Sequence, residues 1–367
     1  MRNLFGKVET LFNKIKLPDY SVFSFFAIIT GAAAGLAAVL FHDSIDLLNK
    51  TLFEDGNSFF KGKEWLVIFI PALGMLIQAL MIWRFPKVSK KKGVAEVIKA
   101  VALRGGYINF RTTLFHFIAP VISIGTGGTV GPEGPAAQIG GGIGSKLGNI
   151  FGLSDSRVRI FTAAGAGAAI SAIFNTPLGG IFFALEVVLL NDFQTPTFSA
   201  LILASVTASA IARVLVGNES IFVFQHIPFN DYANLYIYAI FGILMGIISI
   251  AFIRYSEITE HLFSKKILKA VPQWIAMTLV GLAVGLAGYF YKEIFGIGYY
   301  AINEFLSGGI AWQIVLVLVI LKFVLVPLVL YSGGFGGLFA PSLFIGGGAG
   351  YLFALLMNNI WGFELNT

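Results

Sequence analysis

The sequence contains no cysteine and little charge. The first absence excludes disulfides and thiolate metal sites. The second excludes an ordinary soluble domain: Asp, Glu, Lys and Arg make up 12% of the residues, about half the usual share. Histidine is sparse too. His42, His116, His226 and His261 are scattered at spacings that no metal site uses. No nucleophile–base pair or metal cluster is apparent, which argues against an enzyme and against any cofactor. Cation carriers want carboxylate or carbonyl oxygens in their spans, and acids are scarce here.

What fills the chain is apolar sequence, 57% of residues. Runs of membrane-spanning length fall at 21–41, 65–84, 158–175, 197–216, 233–254, 270–290 and 312–331. Shorter apolar pieces lie at 112–124, 136–148, 178–190 and 338–356. Such a pattern predicts an all-α, polytopic integral membrane protein. Residues 1–20 place Arg2, Lys7, Lys14 and Lys16 against Leu4, Phe5, Val8, Leu11, Phe12 and Ile15. That spacing predicts an amphipathic helix on the cytoplasmic surface, not a cleaved signal. The formal charge of +6 sits largely in loops, notably at Lys87, Lys90, Lys91 and Lys92. Positive loop charge is the cytoplasmic signature of membrane proteins, so lipid is the expected partner and nucleic acid is not.

Glycine is in excess, with 43 residues, and part of it recurs. The segment Gly127-Gly-Thr-Val-Gly131-Pro-Glu133-Gly-Pro135-Ala-Ala-Gln-Ile139-Gly-Gly-Gly142-Ile-Gly144 resembles Gly333-Gly-Phe-Gly-Gly337-Leu-Phe339-Ala-Pro341-Ser-Leu-Phe-Ile345-Gly-Gly-Gly348-Ala-Gly350 at a constant offset of 206. Weaker echoes join Gly93 and its following residues to Gly298, and 27–41 to 239–253. The chain is therefore read as a first membrane repeat, 21–217, a connecting loop, 218–232, and a second repeat, 233–367. Repeats in membrane proteins place ligand sites on broken or re-entrant helices near mid-membrane. Each motif sets glycines before a short apolar segment of about 15 residues, which is short for a full crossing. A helix starting there offers unpartnered N–H groups and the positive end of its dipole. Partial charges of that kind bind an anion and let it go.

Glu133 lies inside the first motif, and Phe339 takes its place in the second. A carboxylate there is costly unless paired, hydrated or protonated. Ionised at a positive helix end, it can occupy an anion's place; protonated, it can leave. It is then a gate and a proton carrier in one residue. The alternative is an acid at a helix start that faces water. Glu186 is either a second proton station or a buried acid satisfied by backbone N–H groups. Glu96 suits a helix-start or structural role rather than transport.

These residues resemble the CLC family of chloride channels and transporters. The motifs are Gly131-Pro-Glu133-Gly-Pro135, Gly337-Leu-Phe339-Ala-Pro341 and Asn175-Thr-Pro177-Leu-Gly-Gly180 followed by Glu186. The resemblance implies inverted-topology halves, a homodimer with one anion pathway per subunit, a bacterial or archaeal plasma membrane and a cytoplasmic N-terminus. It implies gating and proton transfer by Glu133 and Glu186. It also implies anion binding at Gly131, Glu133 and Gly134, at Gly93 and Val94, and at Gly337, Leu338, Phe339 and Ala340, with chloride as substrate.

Four features depart from the family pattern. Lys92 stands where the family has an anion-contacting serine. Pro132 has no N–H. Val187 stands where family exchangers carry the inner proton glutamate. The second repeat is short of its final segments, so the expectation is either a C-terminally truncated chain or a pathway closed by something else. Three expectations follow: chloride/proton exchange gated by Glu133; a passive anion channel, motivated by Val187; or an anion-binding chain that does not transport.

Overall fold

The computed structural model describes residues 19–53, 63–190, 195–218, 221–222 and 235–361. The amphipathic helix expected over 1–20 and most of the connecting loop lie outside the described residues. Twelve helices matter here: α1 (Asp19–Phe53), α2 (Phe69–Arg84), α3 (Gly93–Leu103), α4 (Phe110–Gly125), α5 (Glu133–Ile150), α6 (Asp155–Phe174), α7 (Thr195–Leu215), α8 (Leu235–Leu262), α9 (Gln273–Phe290), α10 (Tyr299–Ser307), α11 (Trp312–Ser332) and α12 (Phe339–Trp361). A short helix, Pro177–Phe182, runs into a π-helical segment, Phe183–Val188. Among the described residues there is no strand, and eight helices are long and apolar enough to cross a membrane.

Seven of those eight overlap the predicted long runs. The eighth is α12, a 23-residue helix where the sequence suggests a short piece. Its glycines dilute the apolar run without breaking the helix, because neighbouring turns satisfy the backbone in lipid. The first motif likewise opens an 18-residue helix, α5. The expectation of about 15-residue half-helices is corrected on both counts. The 206 offset holds in the fold: it carries α2 onto α9, α4 onto α11 and α5 onto α12.

The chain folds as two compact units, and they are not the two repeats. The first unit takes residues up to 46, 84–121 and 132–220; the second takes 47–83, 122–131 and 221–367. In the first, α6 is mostly buried. Its Ala-Gly surface admits α5 at backbone distance, with Gly140 against Gly165. In lipid no hydrophobic effect draws helices together, so small residues that permit close approach supply the packing energy. A ring cluster of Phe23, Phe26 and Phe161 closes one end of this unit. In the second unit, α9 lays Gly281 and Gly285 against Ala72 and Ile68 beside α2. Helix α8 is almost wholly exposed, with Ile240, Ile243, Ile247, Ile250 and Ile253 outward; in a membrane those side chains meet lipid.

Candidate anion-handling site

The segment 126–132 ends at Glu133, the first residue of α5, with Pro132 as N-cap. Glu133 is 4% exposed, so it does not face water as an ordinary helix-start acid would. Proline suits the cap because its missing N–H is one the helix would leave unpartnered. The first-turn N–H groups of α5 that follow this cap are those of Glu133 and Gly134. Gly131 is different. Its N–H donates to the Gly337 carbonyl at 2.9 Å, and the Gly337 N–H donates back to the Gly131 carbonyl at 2.7 Å. Both residues lie in the second unit, and they form the isolated antiparallel bridge of the described chain. Each is the other's counterpart at the 206 offset. A residue thus pairs reciprocally with its own duplicate.

The second motif is held from its own unit. Gly334 N–H donates to the Val329 carbonyl at 2.9 Å, and the Phe335 N–H donates to Gln78 Oε1 at 3.2 Å. Gln78 is fully buried on α2. The chain then enters α12 at Phe339, with Leu338 and Phe339 exposed and Ala340 buried.

Gly93 opens α3 in a left-handed conformation, φ 63°. Its N–H donates to Gln138 Oε1 at 2.6 Å, and Gln138 Nε2 donates to the Lys91 carbonyl at 2.6 Å. The N–H groups of Gly93, Gly131 and Gly337, three residues expected at the anion site, are therefore engaged by protein acceptors. Val94, Glu133, Gly134, Leu338, Phe339 and Ala340 stand at the helix starts. Lys92, between the two residues that Gln138 grips, is exposed. It is surrounded by protein without being covered, and loss of hydration pulls its pKa down to about 8.

Glu96 takes the structural role expected of it: Arg104 Nη2 lies 2.8 Å from its carboxylate and donates to its carbonyl at 3.2 Å. Glu186 is exposed on the π-helical segment, beside Val187 at 36% exposure. That removes the alternative of a buried acid satisfied by backbone. His116 is buried on α4 with its Nδ1 2.9 Å from the Thr112 carbonyl. His42 lies 3.6 Å from Asp46, and His226 is outside the described residues. No metal-holding cluster occurs among the described residues.

Two residues escaped the sequence reading. Gln138 is neutral and hidden in a Gly-Ala run. Lys322 is a lone cation in the apolar run of α11, and that isolation was the signal that could have found it. Its side chain is wholly buried. The ammonium donates to the carbonyls of Ile294 at 3.3 Å and Gly296 at 3.1 Å, and lies 5.0 Å from the centre of the Phe344 ring.

The fold and site define a polytopic membrane protein with duplicated glycine-led helix starts, one of them carrying a buried acid. Residues 73–365 match the family described as Voltage gated chloride channel, and the chain belongs to that family. It is 30% identical over 350 residues to the chloride channel protein CLC-e of Arabidopsis thaliana, covering 88% of this chain and 48% of that protein. The chain thus spans about half the length of that relative. It is 28% identical over 369 residues to the H(+)/Cl(-) exchange transporter ClcA of Vibrio cholerae, covering 98% of this chain and 78% of that one. Among solved structures the fold is similar to a slow cyanobacterial Cl-/H+ antiporter, with TM-score 0.83 and 21% identity over 95% of this chain and 82% of the other. It is also similar to a CLC-type fluoride/proton antiporter, with TM-score 0.75 and 21% identity over 94% and 83% of the two chains.

Proposed function

We propose that the protein moves chloride or a similar small anion across a membrane in exchange for protons, with Glu133 as the titratable gate. The observation that carries this is a buried carboxylate at the first residue of α5. Ionised, it is itself an anion at a positive helix end; protonated, it loses its reason to stay there. The helix-start N–H groups of Val94, Gly134, Leu338 and Ala340, with those of Glu133 and Phe339, are the proposed anion donors of the two units. Membership of the family and the exchange activity named for ClcA support the reading. Glu186, accessible on the π-helical segment, is proposed as a second proton station. We further propose a homodimer in the plasma membrane with the N-terminus cytoplasmic.

Val187 favours a second reading, a passive channel, because a valine carries no proton. One experiment separates the two. The purified protein is placed in liposomes with a chloride gradient, and chloride and proton movements are recorded together. Uphill proton movement driven by chloride supports exchange; chloride flux without it supports the channel. Glu133→Gln is expected to abolish proton coupling, by more than about tenfold. Coupled transport persisting in that variant overturns the gate, and no anion flux from the wild-type protein overturns the transport reading.

A further inference from the structure

Helix α2 is an apolar span with one amide inside it. Gln78 stands among alanine, leucine, isoleucine and methionine, where a polar side chain costs free energy unless it is bonded. It is buried in protein and not turned to lipid. Its Oε1 accepts the Phe335 N–H at 3.2 Å, from a residue 257 positions away in sequence. Its Nε2 stays on α2, 3.3 Å from the Gly74 carbonyl and 3.7 Å from Met75 Sδ. One amide orientation gives this arrangement, since only the oxygen can accept an N–H.

The loop that Gln78 reaches is 333–338, between α11 and α12. Its ends repeat the first motif. The Gly334 N–H donates to the Val329 carbonyl at 2.9 Å as the Gly128 N–H donates to the Ser123 carbonyl at 2.8 Å, and Gly337 pairs with Gly131. Between those ends the chain is closely fitted. Phe335 is buried, and a Cβ on Gly336 would strike Val130. The amide tie itself is not repeated: at the 206 offset the counterpart of Gln78 is Val284 of α9, apolar and buried. All these residues belong to the second unit.

We infer that Gln78 is a positioning residue for the start of α12. By holding Phe335 it fixes where the first-turn N–H groups of Leu338, Phe339 and Ala340 stand, and so how tightly that helix start holds an anion. The inference rests on the anion-transport reading above and adds what sets the affinity. Gln78 touches no anion and acts through the loop. Phe335 is three positions before Leu338, so a shift of its held N–H is passed along a short, fitted segment. An amide suits the task because it accepts without charge. A carboxylate there would take the same N–H and repel the anion, and an aliphatic side chain would accept nothing. Backbone dipoles act at short range: moving a donor by about 1 Å alters its pull on an anion enough to change affinity several-fold.

The test measures chloride efflux from liposomes as internal chloride is varied, for the wild type, Gln78→Leu, Gln78→Asn and Gly281→Ala. Each protein yields a half-saturating concentration and a maximal rate. Gln78→Leu keeps the bulk and removes the acceptor; it is expected to raise the half-saturating concentration about fivefold with a maximal rate within about twofold of wild type. Gln78→Asn keeps the acceptor on a shorter side chain and is expected to raise it about twofold. Gly281→Ala presses on α2 from α9, with its Cβ 2.6 Å from Ala72 Cα. It loosens the same helix without touching the loop, and the half-saturating concentration should stay at the wild-type value. A merely structural role for Gln78 would make the two disturbances of α2 act alike. An unchanged half-saturating concentration in Gln78→Leu, or an equal rise in Gly281→Ala, overturns the inference. If Gln78→Leu is not recovered as a single species by size-exclusion chromatography, Gln78→Asn decides, and a wild-type value in it overturns the inference. If the wild type moves no anion, the transport reading fails and the inference is judged on calorimetric chloride titration in detergent. The dissociation constant should then be about fivefold higher in Gln78→Leu and unchanged in Gly281→Ala. Equal constants for the wild type and Gln78→Leu, or no chloride binding by the wild type, overturn it.

Discussion

Ahead of α10, Lys322 reaches from α11 to the carbonyls of Ile294 and Gly296, and Phe344 covers the ammonium. Ahead of α3, Gln138 holds the equivalent carbonyl, His116 occupies the lysine's place on α4, and the charge sits outside on Lys92. Both loops must deliver a helix start in a left-handed glycine, so both need a brace. A buried cation braces strongly, because its removal leaves carbonyls without donors in a place water does not reach. A buried amide braces with less charge at stake. The difference teaches that a duplicated structural role can be met by unlike chemistry.

Five substitutions break or sharpen the comparison. Lys322→Met removes both hydrogen bonds to the α10 loop and should destabilise the protein by about 3 kcal/mol, read as a fall in the melting temperature of the detergent-solubilised protein. A melting temperature within a degree or so of wild type would show that the loop does not need its cation. Gly298→Ala forces a side chain onto φ 90° with its Cβ 2.8 Å from the Phe344 ring, for a loss of about 2–3 kcal/mol. Gly93→Ala meets open space at φ 63° and should lose only about 1 kcal/mol, the backbone strain alone. Equal losses at the two glycines would contradict the crowding described for Gly298. Gln138→Leu should lose about 1–2 kcal/mol through its two hydrogen bonds. Lys92→Met should change stability by less than about 0.5 kcal/mol, as exposed substitutions usually do. A large melting shift in that variant would recast Lys92 as a second brace.

Much of the fold was legible because membrane helices announce themselves by length and composition. The seven long runs became helices, and the glycine motif located the repeat at the offset the fold obeys. The misses have physical causes. Helix α1 continues to Phe53 because polar residues past the apolar run still form helix, with Ser44 bonding the Leu40 carbonyl and Thr51 the Leu47 carbonyl. Helix α12 was underestimated because glycine lowers hydropathy, while close packing lets glycine persist inside a membrane helix. Within the site, Glu133 stood out as an acid in a glycine-rich apolar setting. The engagement of Gly93, Gly131 and Gly337 was invisible, since it depends on a side chain 45 residues from Gly93 and on the pairing of two distant loops. Glu186 sits in an apolar run, and the π-helical segment leaves its side chain exposed.

The bridge between Gly131 and Gly337 carries a consequence for the history of the chain. A reciprocal contact of one residue with its own counterpart is the form an isologous interface takes between two identical subunits. A half-length ancestor, pairing with a second copy of itself, would have made this contact about its symmetry axis. While the subunits were identical, any acid placed two residues beyond the bridge would have appeared twice. In a single polypeptide the counterpart positions are free to differ, and they do, with glutamate at 133 and phenylalanine at 339, so that the pair carries one carboxylate and not two like charges.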